Sequence, residues 1–378
     1  MIISSVRIRR QIKLVTILAM STKKKVILAV SGGIDSSTSA YWLLKAGYEV
    51  IGVYLDLWKG FSDEEKIKSS TQATEKKLAK LSKDLAFPIR IIDKKEEFHQ
   101  TIVSYFINSL KNGLTPNPCV VCNKHIKFKV LFDCLKDFDA DFIATGHYAR
   151  TRRKHNGKME LLKGLDRTKD QSYYLVLLNQ EILKKIIFPL GESIKEDVKK
   201  VYKKNINPEA DLSESQDLCF LSGFDYRTFL SKYAPECMKS GEIVNSEGKQ
   251  LGIHSGLAFY TIGQRKGLQI SAKEPYFVIK KSTQDNRLVV GFEEELGRRT
   301  FLLHNVNWIS GEPQSDEKQY AVKIRYRSKP VRATSRMISG QDTLEIKTKK
   351  VLRDITPGQF AVLYHRDSAI AGGEISYN

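Results

Sequence analysis

The chain has 378 residues, of which 41% are hydrophobic and 28% charged, and a formal net charge of +19. This length exceeds that of one ordinary hydrophobic core and predicts a globular protein of two or three domains. The longest apolar stretches fall short of the ~20 residues that a membrane span needs. The five cysteines are too few for a disulfide scaffold and suit a reducing compartment. The excess of Lys and Arg favours a polyanionic partner, most often a nucleic acid.

The first 24 residues differ in composition from the rest of the chain, because they contain no acidic side chain. Such a composition suits an organellar transit peptide. A disordered extension, or an upstream start codon with Met20 as the true first residue, is the alternative that we favour. We therefore predict a disordered extension over 1–24 of a cytoplasmic protein, with organellar import through this segment as a minor alternative.

A predicted strand, Lys25–Val30, leads through a Ser31-Gly-Gly-Ile-Asp-Ser-Ser37 loop into a predicted helix, Ser36–Ala46. Glycines allow the backbone to approach an anion closely, and the free N–H groups and dipole of the helix face it. The loop is neither GxxxxGKS/T nor GxGxxG. It resembles the pyrophosphatase loop of the PP-loop ATPases, although a tight turn with a Ser/Asp cap is the plainer alternative.

Strands and helices continue to alternate through the first half of the chain. The further predicted elements are the strands Glu49–Leu55, Ile89–Asp93 and Phe142–Thr145 and the helices Asp63–Leu85 and Phe98–Leu110. Alternation of this kind predicts an α/β fold, a doubly wound parallel sheet that binds its ligand beyond the carboxyl ends of the strands. The loop at Ser31 and the pair Gly146-His147 both lie at such ends.

Two cysteines, Cys119 and Cys122, follow the proline-rich stretch Thr115-Pro-Asn-Pro118 and precede a helical pattern from Ile126. This order predicts a pair near a helix N-terminus, where thiolates are stabilised. A buried or metal-binding pair remains an alternative, but a four-cysteine zinc site needs a second pair and the chain has none. Of the other cysteines, Cys219 follows a polar stretch, Cys134 lies on a helical apolar stripe that predicts core packing, and Cys237 is assigned no role.

The second half begins after a polar stretch near Asn207–Glu214 and includes a predicted helix near Tyr226–Tyr233. Four short strands punctuated by turns then predict a small antiparallel barrel. These strands are Tyr320–Arg327, Val331–Ile338, Thr343–Thr348 and Gln359–Tyr364. The predicted boundaries are 25–224 for the first domain, 225–298 for a small central domain and 299–378 for the barrel.

Eight ordered motifs, from about Lys25 to the end of the chain, resemble those of the tRNA-specific 2-thiouridylases, a family of PP-loop ATPases. The motifs are Ser31-Gly-Gly-Ile-Asp-Ser-Ser37, Thr115-Pro-Asn-Pro118, Cys122-Asn-Lys-His-Ile-Lys-Phe128, Ala144-Thr-Gly-His-Tyr-Ala-Arg150, Lys169-Asp-Gln-Ser-Tyr-Tyr174, Ser215-Gln-Asp-Leu-Cys219, Thr261-Ile-Gly-Gln-Arg-Lys-Gly267 and Arg325-Tyr-Arg327. The resemblance implies a PP-loop domain, a small central domain and a C-terminal, RNA-contacting β-barrel, in agreement with the elements predicted above.

The resemblance also implies an activity, the ATP-dependent 2-thiolation of the wobble uridine of tRNA. ATP adenylates the uracil 2-oxygen, which turns a poor leaving group into AMP and releases pyrophosphate. The implied partners are tRNAs for Glu, Gln and Lys and a sulfur donor protein, such as a cysteine desulfurase or a relay protein. A different PP-loop synthetase, acting on a small molecule, is the alternative.

The implied ATP-binding residues cluster in the loop, with two further positions near the adenosine. They are Ala29, Val30, Ser31, Gly32, Gly33, Ile34, Asp35, Ser36, Ser37, Leu55 and Gly146. Asp35 is expected to position Mg²⁺ or the loop itself, and the ion would neutralise developing charge.

Two cysteines carry the implied sulfur transfer. The resemblance assigns Cys219 as the persulfide carrier and Cys122 as the partner thiol, which frees the sulfur and leaves a Cys122–Cys219 disulfide. The sequence departs from the family at Cys119, where many members have Asp. Three thiolates, Cys119, Cys122 and Cys219, could instead ligate a 4Fe–4S cluster with one open iron, so both routes stay open.

The resemblance implies a further set of residues that contact the target base or the tRNA. They are Asn117, Pro118, Cys119, His147, Lys169, Asp170, Gln171, Arg325, Tyr326 and Gln359. Arg can contact phosphate and Tyr can stack on a flipped base, although each residue alone could be an ordinary surface side chain.

Overall fold

A computed structural model describes residues 23–58, 64–212, 218–221, 225–314, 319–338 and 342–377. The predicted extension lies almost wholly outside these ranges. The chain divides into two compact units, Met1–Phe98 with Asn123–Gln216 and His99–Cys122 with Asp217–Asn378. No helix in the described ranges is long and apolar enough to cross a membrane.

The structure contains the following strands and helices. The strands are β1 (Lys25–Ala29), β2 (Glu49–Asp56), β3 (Ile89–Asp93), β4 (Phe142–Ala144), β5 (Ala149–Arg153), β6 (Met159–Lys163), β7 (Ile186–Ile187), β8 (Gly241–Val244), β9 (Gln250–His254), β10 (Phe277–Ser282), β11 (Arg287–Gly291), β12 (Arg298–Trp308), β13 (Gln319–Lys323), β14 (Val331–Met337), β15 (Thr343–Leu352), β16 (Phe360–His365) and β17 (Ser368–Ser376). The helices are α1 (Ile34–Lys45), α2 (Glu64–Leu85), α3 (Lys95–Phe98), α4 (Ser104–Lys111), α5 (Pro118–Cys122), α6 (Phe128–Asp137), α7 (Gln180–Lys185), α8 (Lys195–Asn205) and α9 (Tyr226–Tyr233).

The first unit is built on a parallel sheet with the strand order β3-β2-β1-β4-β7. The central strand β1 has three fully buried residues, Val26, Ile27 and Leu28, because helices cover both faces of such a sheet. The doubly wound α/β fold predicted from the sequence is confirmed.

The antiparallel hairpin of β5 and β6 was not predicted from the sequence. Its strands carry many charged residues, and Arg152 pairs across them with Glu160 at 2.7 Å. The dipeptide Asn156-Gly157, with Gly157 at φ +78°, is the turn signal that could have revealed the hairpin.

The second unit contains a four-stranded sheet, in the order β10-β11-β8-β9, and a six-stranded barrel. The barrel order is β12-β15-β14-β13-β16-β17, and β12 pairs with β17 to close it. The predicted antiparallel barrel is confirmed, but only four of its six strands were predicted, and β12 and β17 were missed. The small residues of β17 hide its strand pattern. Gly373 in β17 is required by packing, since a Cβ there would lie 2.6 Å from the carbonyl oxygen of His304.

Candidate active-site segments

The predicted nucleotide-binding residues lie at the carboxyl edge of the parallel sheet of the first unit. Ala29 pairs in register with Val53, so Leu55 lies two residues further toward this edge. On the other side of β1, Gly146 follows the end of β4. Three neighbouring strands therefore deliver the loop, Leu55 and Gly146 to one edge, where α/β sheets bind ligands.

The loop between β1 and α1 is held by serine hydroxyl groups. The Ser31 N–H donates to Ser36 Oγ at 3.1 Å, and Ser36 Oγ donates to the Gly33 carbonyl at 3.2 Å. Gly32 has φ +69°, which favours glycine. Gly33 precedes the helix with no side-chain cap, so the first N–H groups of α1 are left for an anion.

Gly146 allows the chain after β4 to pack closely against the start of α1. A Cβ at Gly146 would lie 3.1 Å from both the Asp35 carbonyl carbon and the Ser36 nitrogen. These are backbone atoms, which cannot rotate away as a side chain could. A larger residue would therefore displace the first turn of α1.

The Asp35 carboxylate is fixed by two residues that the sequence analysis did not identify as functional. Lys195 Nζ donates to both carboxylate oxygens, at 2.7 and 2.8 Å, and the Tyr148 hydroxyl donates at 2.8 Å. Lys195 is only 5% exposed, and its Nζ lies 5.5 Å from the centre of the Tyr148 ring. Tyr148 lies in the motif Ala144–Arg150, which is part of the family resemblance. Lys195 is the first residue of α8, and its neighbours in sequence give no indication of a functional role.

A second cation, Lys77 of α2, lies against the phosphate loop. Its Cδ and Cε would both be 3.2 Å from a Cβ at Gly32, so its stem fills the space that glycine leaves open. The ammonium group is one bond beyond Cε and is exposed to solvent. Lys77 thus places a positive charge beside the position expected for phosphate.

Replacing Lys77 by Ala is expected to raise the KM for ATP by roughly 5-fold, because an exposed charge pair contributes at most about 1 kcal/mol. Steady-state pyrophosphate release at varied ATP measures this change. Lys76→Ala, an exposed neighbour on the same helix, is the matched control. An equal rise in both variants, or none in Lys77→Ala, would exclude a specific contact.

His147 lies beside this edge as a neutral imidazole. Its Nδ1 is 2.8 Å from Thr145 Oγ1, and its ring stacks on Phe128 with 5.9 Å between centres. Desolvation by burial, with the nearby charge of Lys127, lowers the pKa of His147 to about 3. His147 can therefore offer hydrogen bonds at neutral pH but no positive charge.

Two of the predicted tRNA-contacting residues, Asp170 and Gln171, bond to the main chain of their own unit. The buried Asp170 carboxylate accepts the N–H groups of Gly164 and Ser172, both at 3.1 Å. Gln171 Oε1 accepts the Tyr148 N–H at 2.9 Å. Gln171 therefore braces the segment that carries Tyr148, and Asp170 braces the loop that carries Gln171. Contacts with RNA, including those of the half-buried Lys169, remain predictions.

In the second unit, Cys119 is the second residue of α5 and Cys122 is its last. Cys119 is half-buried, and Cys122 is 5% exposed. The side chain of Asn117 accepts the Val120 N–H at 3.4 Å, so this residue caps the short helix. Both cysteines were expected near a helix N-terminus, and the structure places Cys119 there, whereas Cys122 lies at the end of the short helix.

Cys219 opens a short 3₁₀ turn in the same unit and is exposed. Its neighbour Phe220 is buried and packs its ring against Phe106 of α4 at 5.2 Å and Phe229 of α9 at 5.5 Å. The aromatic anchor thus fixes the turn and leaves the Cys219 thiol at the surface.

The remaining cysteines are buried, and burial raises the pKa of Cys134 to about 11 and also raises that of Cys237. The predicted core position of Cys134 is confirmed by its 2% exposure. Within the described ranges, no three His, Cys, Asp or Glu side chains are grouped to hold a metal ion. The set Cys119, Cys122 and Cys219 as ligands of a 4Fe–4S cluster therefore stays a prediction.

The predicted RNA-contacting residues of the barrel differ in their surroundings. The Arg325 guanidinium donates to the Ile262 carbonyl at 3.1 Å and to Thr356 Oγ1. Tyr326 is partly exposed and lies 5.5 Å from the ammonium group of Lys323. Arg325 is thus held within the second unit, whereas Tyr326 keeps part of its side chain exposed beside a cation. Contacts of either residue with RNA stay predictions.

Comparison with known protein families covers nearly the whole chain. A model described as the tRNA methyl transferase HUP domain matches residues 24–223. Models described as the tRNA methyl transferase PRC-barrel domain and the Aminomethyltransferase beta-barrel domain match residues 227–292 and 298–375.

Curated relatives match over almost their full length. A protein of Natranaerobius thermophilus named tRNA-specific 2-thiouridylase MnmA is 37% identical over 94% of this chain and 98% of its own. Proteins of the same name from Carboxydothermus hydrogenoformans and Blochmanniella floridana are 37% and 39% identical, each over 93% of this chain and over 98% and 96% of their own. The similarity therefore extends over whole chains.

Proposed function

The chain belongs to the tRNA-specific 2-thiouridylase family, and we propose that it carries out the 2-thiolation of the wobble uridine of tRNA. The protein is accordingly a tRNA-uridine sulfurtransferase that uses ATP. The steps below, the residues that perform them and the partners beyond tRNA are our proposal.

In the first step, ATP adenylates the uracil 2-oxygen and pyrophosphate leaves. The uncapped N-terminus of α1 and the glycine loop bind the phosphate chain. Lys195 and Tyr148 hold the Asp35 carboxylate at this site. This arrangement of loop, helix start and fixed carboxylate at one sheet edge is the observation that carries the proposal.

Mg²⁺ would neutralise the charge that develops on the phosphates. The Asp35 carboxylate is a donor that suits this ion, which prefers oxygen ligands. Lys195, paired with Asp35 at 2.7 Å, would keep a positive charge beside this carboxylate and so help to hold the phosphates.

In the second step, sulfur replaces the adenylated oxygen. The terminal sulfur of a Cys219 persulfide attacks carbon 2 of the uracil, and AMP leaves with the former 2-oxygen. The Cys122 thiolate then attacks the Cys219 sulfur, which breaks the S–S bond to the base and leaves thiouridine and a Cys122–Cys219 disulfide. Two external thiols, or one dithiol, supply the two electrons that restore both cysteines and are themselves oxidised to a disulfide. The exposure of Cys219 supports its exchange with a donor protein.

The proposed partners are a persulfide-bearing donor, such as a cysteine desulfurase or relay protein, and tRNAs for Glu, Gln and Lys. The net charge of +19 supports the RNA partner. Because the two cysteines must return to thiols in each cycle, we propose the cytoplasm as the site of action.

Anaerobic thiolation tests the function and the route together. The iron-free protein is incubated with a wobble-uridine tRNA, ATP, Mg²⁺ and a persulfide donor, and thionucleoside is read by mass spectrometry before and after iron–sulfur reconstitution. We expect product without iron, and we expect Cys119→Asp to keep activity. Product only after reconstitution would contradict the persulfide route, and no product in either state would favour a synthetase acting on a small molecule.

A further inference from the structure

The segment before the α5 cysteines, Leu114–Pro116, is bonded to the central sheet and to the barrel within the second unit. Lys281 Nζ on β10 donates to the Leu114 carbonyl at 3.3 Å. Gln359 Nε2 donates to the Thr115 carbonyl at 2.8 Å and to the Pro116 carbonyl at 3.2 Å. Three successive carbonyl oxygens thus accept hydrogen bonds from side chains more than 160 positions away in sequence.

Lys281 is an unusual residue for this role because it is half-buried and its charged group is largely desolvated. It also donates to the Tyr260 carbonyl at 3.1 Å, so its described acceptors are main-chain oxygens. Burial lowers the pKa of Lys281 to about 8. Placing a cation in such surroundings is costly, and the neighbouring Lys280 on the same strand is exposed, as lysines ordinarily are.

The barrel approaches the same segment through its main chain. The Thr115 N–H donates to the Pro357 carbonyl at 2.9 Å. Gly358 has φ +88°, and a Cβ there would lie 2.9 Å from Leu114 Cβ and 3.0 Å from the Thr115 nitrogen. The turn can approach this closely only because residue 358 is glycine.

We propose that Lys281, Gln359 and the Pro357–Gln359 turn are positioning elements that fix Leu114–Pro116 and thereby set the first turn of α5, with Cys119 and Cys122. The proposal rests on the proposed function only in assigning these cysteines to the sulfur step. It gives the central sheet a role in holding the thiols and gives the barrel this task besides the proposed RNA contact. The amide nitrogen of Gln359, expected from the resemblance to face tRNA, is used in this contact.

The reactivity of Cys122 toward maleimide tests the positioning without ATP or tRNA. Cys122 is 5% exposed, so alkylation reports opening of the segment around it. We expect Lys281→Met to raise the alkylation rate of Cys122, mapped by mass spectrometry, by about 10-fold, the effect of losing a hydrogen bond from a charged group. Lys280→Met on the same strand is the control and should leave the rate unchanged, and Lys281→Arg, which keeps a cationic donor, should restore most of the protection.

Thiolation and pyrophosphate release are measured on the same variants. We expect Lys281→Met to slow thiolation while tRNA-dependent pyrophosphate release and tRNA affinity stay near their wild-type values. An unchanged alkylation rate, or equal losses in both half-reactions, would overturn the positioning role. Failure of the wild-type protein to thiolate tRNA would instead contradict the proposed function and leave the alkylation result standing.

Two glycine substitutions provide an independent test of the positioning role if Lys281→Met does not fold. Gly358→Ala and Gly248→Ala impose the same backbone strain, since the two φ angles are +88° and +86°. A Cβ at Gly248 meets no atom within 4 Å, whereas one at Gly358 collides with the segment. Faster Cys122 alkylation in Gly358→Ala alone supports the proposal, and equal rates in both variants contradict it.

Discussion

Replacing Asp35 by Ala is expected to reduce tRNA-dependent pyrophosphate release by on the order of 10²- to 10³-fold, the loss that follows removal of one preorganised electrostatic group. The carboxylate accepts three hydrogen bonds from Lys195 and Tyr148, so its position is defined before substrate binds. Its loss would also leave the ammonium group of Lys195, a 5% exposed residue, without its counter-charge. Affinity for tRNA should change little, because the barrel residues are untouched.

Lys195→Met removes the positive charge that pairs with Asp35 and leaves the Asp35 carboxylate in place. It therefore tests whether the loss of the carboxylate or the unpaired charge of Lys195 lowers the activity of Asp35→Ala. If the two residues act as one unit, the double variant should lose little more activity than either single variant. Lys200→Met, an exposed lysine on the same helix, is the control. Normal pyrophosphate release by Asp35→Ala would contradict the role of this pair in adenylation, and thermal unfolding of each variant shows whether a loss reflects folding.

Replacing Cys219 by Ser is expected to eliminate 2-thiouridine with every sulfur donor, because a hydroxyl group cannot carry a persulfide. Pyrophosphate release should continue, since adenylation precedes sulfur transfer. Cys219 is exposed on a turn that Phe220 anchors, so this substitution leaves the buried contacts of Phe220 in place. Thionucleoside analysis by mass spectrometry, beside a pyrophosphate assay, measures both half-reactions.

Cys134→Ala is the matched control for this loss. Its thiol is 2% exposed and has a pKa raised to about 11, so it is inert as a nucleophile at neutral pH. We expect thiolation to persist in Cys134→Ala. Normal turnover by Cys219→Ser would show that another group carries the sulfur.

The sequence predicted those parts of the fold that depend on local pattern. The run Val26–Leu28 reads as a buried strand because every residue is apolar, and the glycines after it identify the phosphate loop. A helix is predicted near Tyr226–Tyr233, and the structure has it at these residues, with Asp225 as its N-cap. The strand Ser368–Ser376 escaped prediction because Gly372 and Gly373 resemble turn residues.

Contacts between distant positions account for most of what the sequence did not reveal. Lys195 is 160 residues from Asp35. Its helix contains several other lysines, so the sequence does not show which of them pairs with Asp35. Lys281 is likewise one of two adjacent lysines, and only the fold distinguishes the half-buried Lys281 from the exposed Lys280. The family resemblance supplied roles for cysteines, but it did not reveal what holds them.

The fate of the uridine 2-oxygen tests the central claim most directly. A tRNA with ¹⁸O at the 2-position of the wobble uridine is thiolated by the purified protein with ATP and a persulfide donor, and the released AMP is examined by mass spectrometry. If ATP adenylates this oxygen and sulfur displaces it, each AMP formed with a thiouridine carries one ¹⁸O atom. Thiouridine formed together with unlabelled AMP would contradict adenylation of the base.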